Sequence, residues 1–315
     1  MDERSEHVPT RAHPNSRPVD PILPMQPSNN PTIARSQPTT GKRLCFVGGG
    51  NMASALMGGL LLGGSAVEIA GVIEKLPSQR DQLTERFGEP IFASIDEAVH
   101  ADAFRVDAIV LAVKPQQLRP LAQELGPHAA QSAVISIAAG IRATDIARWL
   151  GGHDRVIRAM PNTPALVGAG ITGLFALPQT PERDRELADQ LMSAAGATLW
   201  VPTENLIDAV TAMSGSGPAY VFHFMEAMQA AGIELGLSAE AARALTLATF
   251  SGAAKLAMQS DEPPARLRER VTSPGGTTAA ALAAMAQAGV GAGIMSGIHA
   301  ACLRGAELGD QLGQD

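Results

Sequence analysis

The chemistry this chain could do is concentrated in a few short glycine-rich stretches. Gly48-Gly49-Gly50-Asn51-Met52-Ala53 has the form G-x-G-x-x-A, and it follows a short apolar run and opens a helix-like segment. In that setting Gly48 permits a tight turn, Gly50 lets backbone approach a pyrophosphate, and Ala53 lets the helix pack closely, while the helix start stabilises the anion. The pattern points to dinucleotide binding. Such folds place an acidic residue at the end of the second strand, about 20 residues on, and Glu74 stands 21 residues past Ala53. An ionised Glu74 beside the adenine ribose would repel a 2′-phosphate and favour NADH, whereas Lys75 or Arg80 would pair with that phosphate and favour NADPH. The residues leave both open, together with a Glu74 that is simply a solvated strand end.

Other candidates extend the same site. Ala112-Val113-Lys114-Pro115 closes a strongly apolar strand, and Pro115 forces Lys114 into an extended conformation at the strand's carboxyl end, where ligands bind in open α/β sheets. Ile137-Ala138-Ala139-Gly140 follows the next strand with residues small enough for a flat ring to lie against backbone. Two clusters further on, Ser214-Gly215-Ser216-Gly217-Pro218-Ala219-Tyr220 and Thr272-Ser273-Pro274-Gly275-Gly276-Thr277-Thr278, read as helix starts with free N–H groups and small hydroxyls, suited to a carboxylate. Ser216 does not read as a hydrolase nucleophile, because Ser214 stands where G-x-S-x-G needs glycine.

The elements that must position these residues follow from pattern. Strands are expected at Leu44–Val47, Ile69–Glu74, Ala108–Val113, Ala133–Ile137, Val156–Ala159, Ile171–Ala176 and Thr198–Val201. Helices are expected between them at Asn51–Leu62, Ser78–Phe87, Gln116–Leu125, Thr144–Leu150 and Pro181–Ala195. Alternation of this kind is the sequence form of βαβ units and a parallel sheet. After Thr203 the strands stop, and consecutive helices follow at Asn205–Met213, Pro218–Leu235, Ala239–Met258, Pro264–Arg270, Thr277–Ala288 and Gly291–Leu308. The fold class is thus an α/β Rossmann-type parallel sheet domain over 41–203 followed by an all-α domain over 204–315. Residues 1–40 carry eight prolines without periodicity and read as a disordered tail.

Composition narrows the function. The chain has 315 residues, enough for two domains, and a net charge of −7 offers no basic field for a phosphate backbone, which disfavours nucleic acid. Its two cysteines, Cys45 and Cys302, and seven scattered histidines have no metal-ligand spacing, so no metal is assigned and a reducing cytoplasm fits. Residues 271–303 carry no Asp, Glu, Lys or Arg, but Pro274 and the glycines at 275, 276, 289, 291 and 293 interrupt them, so they read as buried interface helices rather than a membrane span. No export or organelle address is visible.

Taken together the motifs resemble the pyrroline-5-carboxylate reductase family over Arg43 to Leu308. They are Val47 to Ala53, Ala112 to Pro115, Ser136 to Gly140, Ile157-Arg158-Ala159-Met160-Pro161-Asn162-Thr163-Pro164, Asp208-Ala209-Val210-Thr211, Ser214 to Tyr220 and Val271 to Thr278. The resemblance implies reduction of a cyclic C=N bond to give proline, the last step of proline biosynthesis, with NADPH or NADH as cofactor. It implies a helical domain that dimerises, often built further into a decamer. Carried over by motif, the cofactor would meet Gly48, Gly50, Asn51, Met52, Lys114, Pro115, Ala138 and Ala139. Substrate would meet Glu204, Thr277 and Thr278, with backbone amides from Ser273 through Gly275 and Gly276 taking the carboxylate and Thr278 bonding the ring nitrogen.

Three positions depart from the family pattern: Ile95 and Arg270, where relatives carry polar or amide residues, and the uncharged stretch 285–293. Two other functions fit parts of the chain. A hydroxy-acid reductase would need a lysine such as Lys255 to protonate an alkoxide; a noncatalytic dinucleotide sensor would leave Glu204, Thr277 and Thr278 without a ligand.

Overall fold

A computed structural model describes residues 41–63, 67–88 and 90–314. The tail expected over 1–40 lies outside the described residues. The first half alternates strands β1 (Lys42–Val47), β2 (Val67–Ile73), β3 (Ile91–Phe92), β4 (Ala108–Leu111), β5 (Ala133–Ser136), β6 (Val156–Met160), β7 (Gly170–Ala176) and β8 (Gly196–Trp200) with helices α1 (Asn51–Leu62), α2 (Pro77–Phe87), α3 (Ile95–His100), α4 (Pro115–Leu125), α5 (Ala143–Trp149) and α6 (Glu182–Ser193). The eight strands form one sheet in the order β3-β2-β1-β4-β5-β6-β7-β8. The first six follow the doubly wound order, which leaves a crevice beyond the carboxyl ends of β1 and β4. β4 and β5 are buried at every position, as expected of strands covered on both faces. Leu118, Leu125, Ile146 and Trp149 of α4 and α5 pack on one face; Leu56, Met57, Leu187 and Leu191 of α1 and α6 pack on the other.

The expected parallel sheet reverses after β6, so that β7 and β8 run against the other six strands. β7 runs antiparallel to β6, with Arg158 opposite Phe175, and β8 then runs parallel to β7. The nine residues 161–169 that join β6 to β7 hold only a 3-10 turn, Thr163–Val167, and a parallel crossover needs a dozen or more. Two elements were not anticipated. β3 is too short to show periodicity. α3, however, carries a start signal in Ser94-Ile95-Asp96-Glu97: Ser94 Oγ accepts from the Glu97 N–H at 3.2 Å, and Glu97 Oε2 accepts from the Ala93 N–H at 2.8 Å. Ile95 itself is buried in the core beneath the sheet.

The second half is helical: α7 (Leu206–Val210), a π-helical turn at Thr211–Gly215, α8 (Gly217–Glu234), α9 (Ala239–Met258), α10 (Pro264–Arg270), α11 (Thr277–Gln287) and α12 (Val290–Leu312). The buried helices expected over residues 271–303 are not buried within one chain. α11 has no buried residue, and in α12 only Gly305 and Gly309 are buried. α8 and α10 likewise bury nothing, and Phe222 of α8, Leu235 just after it, Met258 of α9 and Leu303 of α12 are more than half exposed. No single described helix is long and apolar enough to cross a membrane; α11 and α12 pass such a test only together and are bent by 52°.

Candidate active site

The glycine turn sits where β1 meets α1. Gly48 has φ +103°, and a Cβ there would stand 2.5 Å from the Ala112 carbonyl oxygen, so both backbone conformation and the neighbouring strand end require glycine. Gly50 is extended and caps α1, and a Cβ on it would meet nothing within 4 Å. The first turn of α1 has no acidic residue and no side-chain cap, so the amide groups around Asn51 and Met52 are left for an outside anion. The intervening Gly49 was not singled out from sequence, yet a Cβ there would run into the Leu83 side chain of α2.

Glu74 is drawn to this turn. Its Oε2 accepts from the Gly49 N–H and its Oε1 from the Leu76 N–H, both at 2.9 Å. Gln79 Nε2 holds the next peptide group, donating to the Gly49 carbonyl at 3.1 Å. Each carboxylate oxygen keeps a lone pair for a ribose hydroxyl. Arg80 turns to backbone, donating to the carbonyls of Glu74 at 3.0 Å and Lys75 at 2.8 Å, while Lys75 is exposed. Along the same sheet edge, Lys114 is extended at φ −63°, ψ 145° with its side chain in solvent, and Pro115 opens α4. After β5, Ala138 is buried with its N–H on Ser136 Oγ at 3.3 Å, and Ala139 is exposed.

The second cluster, before α11, is a helix start, but the Gly276 amide is not free. Gly275 takes φ +71°, the Gly276 N–H bonds the Ser273 carbonyl at 3.1 Å, and α11 begins at Thr277 without an acidic first turn or a side-chain cap. Thr277 is exposed and Thr278 half-buried. In its own chain α11 packs chiefly on α12, so one chain does not bring these residues against the glycine turn. The first cluster is corrected. Ser214 to Tyr220 is no free helix start, because Val210 and Ser216 are both helical and the π turn runs from α7 into α8, with the Ser216 N–H bonded to the Thr211 carbonyl at 2.8 Å. Ser214 Oγ is spent on the Val210 carbonyl at 2.9 Å.

Glu204 faces inward. Its Oε1 accepts from the Ala143 N–H, the first amide of α5, at 2.6 Å, and lies 3.4 Å from Arg158 Nη1. Arg158 Nη2 donates to Asp208 Oδ1 at 3.2 Å, with the Arg158 side chain only 3% exposed. Arg158 and Asp208 stand within motifs of the sequence to which spacing assigns no role; a lone arginine inside the apolar run of β6 is the one signal of this pairing. Arg270 is exposed and paired to Glu262 at 2.7 Å. An open cleft of about 900 Å³ lies at the opposite end of the strands, where Lys42, Arg155, Asp107 and Asp184 are already paired with one another. Burial pushes the Cys45 thiol up to about 12, which makes it inert. Among the described residues no group of three or more His, Cys, Asp or Glu could hold a metal.

A glycine turn feeding a bare helix start, with a carboxylate docked at the turn and an all-helical second half, defines a two-domain dinucleotide-dependent oxidoreductase. Residues 43–140 match the family described as NADP oxidoreductase coenzyme F420-dependent, and residues 204–308 match pyrroline-5-carboxylate reductase dimerisation. A pyrroline-5-carboxylate reductase of Pseudomonas aeruginosa is 46% identical over 273 residues, 86% of this chain and 98% of that protein. A pyrroline-5-carboxylate reductase structure from Coxiella burnetii superposes with a TM-score of 0.77 at 37% identity, covering 85% of this chain and 98% of the other. One from Plasmodium falciparum with NADP bound gives 0.75 at 28%, covering 85% and 98%. The chain belongs to the pyrroline-5-carboxylate reductase family. Its reaction is reduction of 1-pyrroline-5-carboxylate to L-proline by hydride transfer from NADPH or NADH to the ring C=N, the last step of proline biosynthesis.

Proposed function

We propose that the dinucleotide lies along the carboxyl ends of β1, β2, β4 and β5, with its pyrophosphate on Gly48, Gly50, Asn51 and Met52, its adenine ribose at Glu74, and its nicotinamide end against Lys114, Pro115, Ala138 and Ala139. The observation that carries this reading is the uncapped start of α1 beside a carboxylate already fixed on the Gly49 amide. The substrate carboxylate is taken by the amides of Ser273 and Gly275 and by the dipole of α11, while the Gly276 N–H holds the turn through the Ser273 carbonyl, with Thr277 beside the carboxylate and Thr278 bonding the ring nitrogen. Glu204 acts from the junction of the two halves, through the Ala143 amide.

A protonated cyclic imine is already electrophilic, so hydride adds to the ring carbon while nitrogen keeps its proton, and no strong protein acid is required. Positioning does most of the work. The division at 203/204 separates the cofactor half from the substrate half. Because α11 is exposed and packs chiefly on α12, we assign completion of the substrate end to the dimer, with a decamer as the larger assembly and the cytoplasm as the compartment.

The test is oxidation of NADPH and NADH, in parallel, on adding pyrroline-5-carboxylate to purified protein. Activity with either is expected; silence with both, in protein that still binds dinucleotide, overturns the substrate assignment. Thr278→Ala should lower kcat about ten- to a hundredfold, the worth of one hydrogen bond to a charged group, with dinucleotide affinity unchanged by calorimetry. Full turnover in that variant would remove Thr278 from the mechanism.

A further inference from the structure

The loop between β5 and α5, residues 137–142, is the wall proposed for the nicotinamide, and the helical half grips it from three sides. Glu204 accepts from the Ala143 N–H at the loop's end and is itself held by Arg158, which also holds Asp208 of α7. From α12, Leu308 lies against Gly140: a Cβ at Gly140, where φ is +76°, would stand 3.3 Å from Leu308 Cβ. A Cβ at Gly309 would stand 3.1 Å from the Gly140 carbonyl oxygen and 3.4 Å from Arg142 Nε, and Arg142 pairs with Asp310. Gly305 and Gly309 of α12 and Gly313 at its C-cap recur every fourth residue, so they share one face. That face meets Asp208, the loop and Asp145 of α5 in turn.

We infer that Arg158, Glu204 and the glycine face of α12 are positioning residues that set the 137–142 loop for dinucleotide binding from the helical half of the chain. The inference rests on the cofactor placement proposed above. A buried arginine between two mostly buried carboxylates is rigid because separating any member strands a charge, and a glycine face permits helix-to-loop approach closer than any side chain allows. The loop's shape therefore depends on how the helical half is seated.

Two variants test it. Gly309→Ala puts a methyl group against Gly140 and Arg142 without weakening the helix, since alanine favours helix. Glu204→Gln keeps an acceptor for the Ala143 N–H but removes the charge facing Arg158. In each, NADPH and NADH binding by calorimetry should weaken about tenfold, as small misplacements of a positioning loop do. In Gly309→Ala, KM for the imine at saturating cofactor should stay within about twofold of the unchanged protein, and in both variants amide exchange at Ile141 to Ala143 should quicken. Variants that melt earlier but bind dinucleotide with unchanged affinity overturn the inference and leave the cofactor site standing. Failure of the unsubstituted protein to bind either dinucleotide overturns the cofactor placement and this inference with it.

Discussion

Glu74 shows how much one side chain decides. Its position one strand beyond the glycine turn follows from spacing, but the partner of each oxygen does not: the Gly49 and Leu76 amides fix the carboxylate at the turn. A fixed negative charge there disfavours a 2′-phosphate. Glu74→Ser should therefore raise kcat/KM for NADPH relative to NADH by about tenfold, measured with both donors; an unchanged ratio would place the carboxylate away from the ribose. His153 governs stability instead. Burial, its largest influence, holds its pKa below the ordinary 6.5, and its Nε2 is enclosed without a hydrogen-bond partner. The unfolded chain then binds a proton that the native state resists, so His153 contributes fully above about pH 6.5 and its contribution is lost as pH falls toward the native value. His153→Gln should flatten the loss of Tm between about pH 7 and 5, read by thermal melts across that range.

At the scale of elements, periodicity located most strands and helices because β4, β5 and their neighbours are buried on both faces and so are continuously apolar. It could not give β7 its direction, which was set by the length of a connection. Nor could it show how closely helices approach. Gly59 in α1 stands where a Cβ would run into the Ala194 carbonyl at the end of α6. Gly59→Ala gains helix propensity yet should destabilise the protein by about 1–3 kcal/mol, because the overpacked contact is with backbone that cannot rotate away. Denaturant unfolding would show this as a lower midpoint at unchanged slope, and a raised midpoint would mean that α1 and α6 slide apart at little cost.

At the scale of the whole molecule, the two halves differ in how they are held. The sheet half has a core on each face, whereas α8, α10 and α11 bury no residue within one chain. Apolar surface of that extent marks a protein interface, and residues 204–308 match a dimerisation family. Stability of the helical half is therefore tied to association, and Tm should rise with protein concentration. Phe222→Glu on α8, at a residue 58% exposed in one chain, should shift the dimer to monomer in sedimentation velocity and lower turnover at least tenfold, as burying an unpaired carboxylate at an interface is costly. A dimer of unchanged affinity would place Phe222 outside the contact.

By itself the sequence determined what depends on near neighbours: the alternation that builds the sheet, the G-x-G-x-x-A turn with its helix start, the acidic residue at the end of β2, the Gly-Gly-Thr-Thr entry to α11, and the halt of strands after residue 203. Each is written in residues a few positions apart, or in spacing that backbone geometry converts directly into place. Tertiary structure alone decided the reversal of β7, the π turn that removes Ser214 to Tyr220 from the set of free helix starts, and the inward turn of Glu204. It also decided the seating of α12 on the 137–142 loop. These depend on pairs such as Glu204 with Ala143 and Gly140 with Leu308, separated by 61 and 168 positions. Contacts that distant are chosen by how whole elements fill space and neutralise buried charge, and no local pattern records the choice.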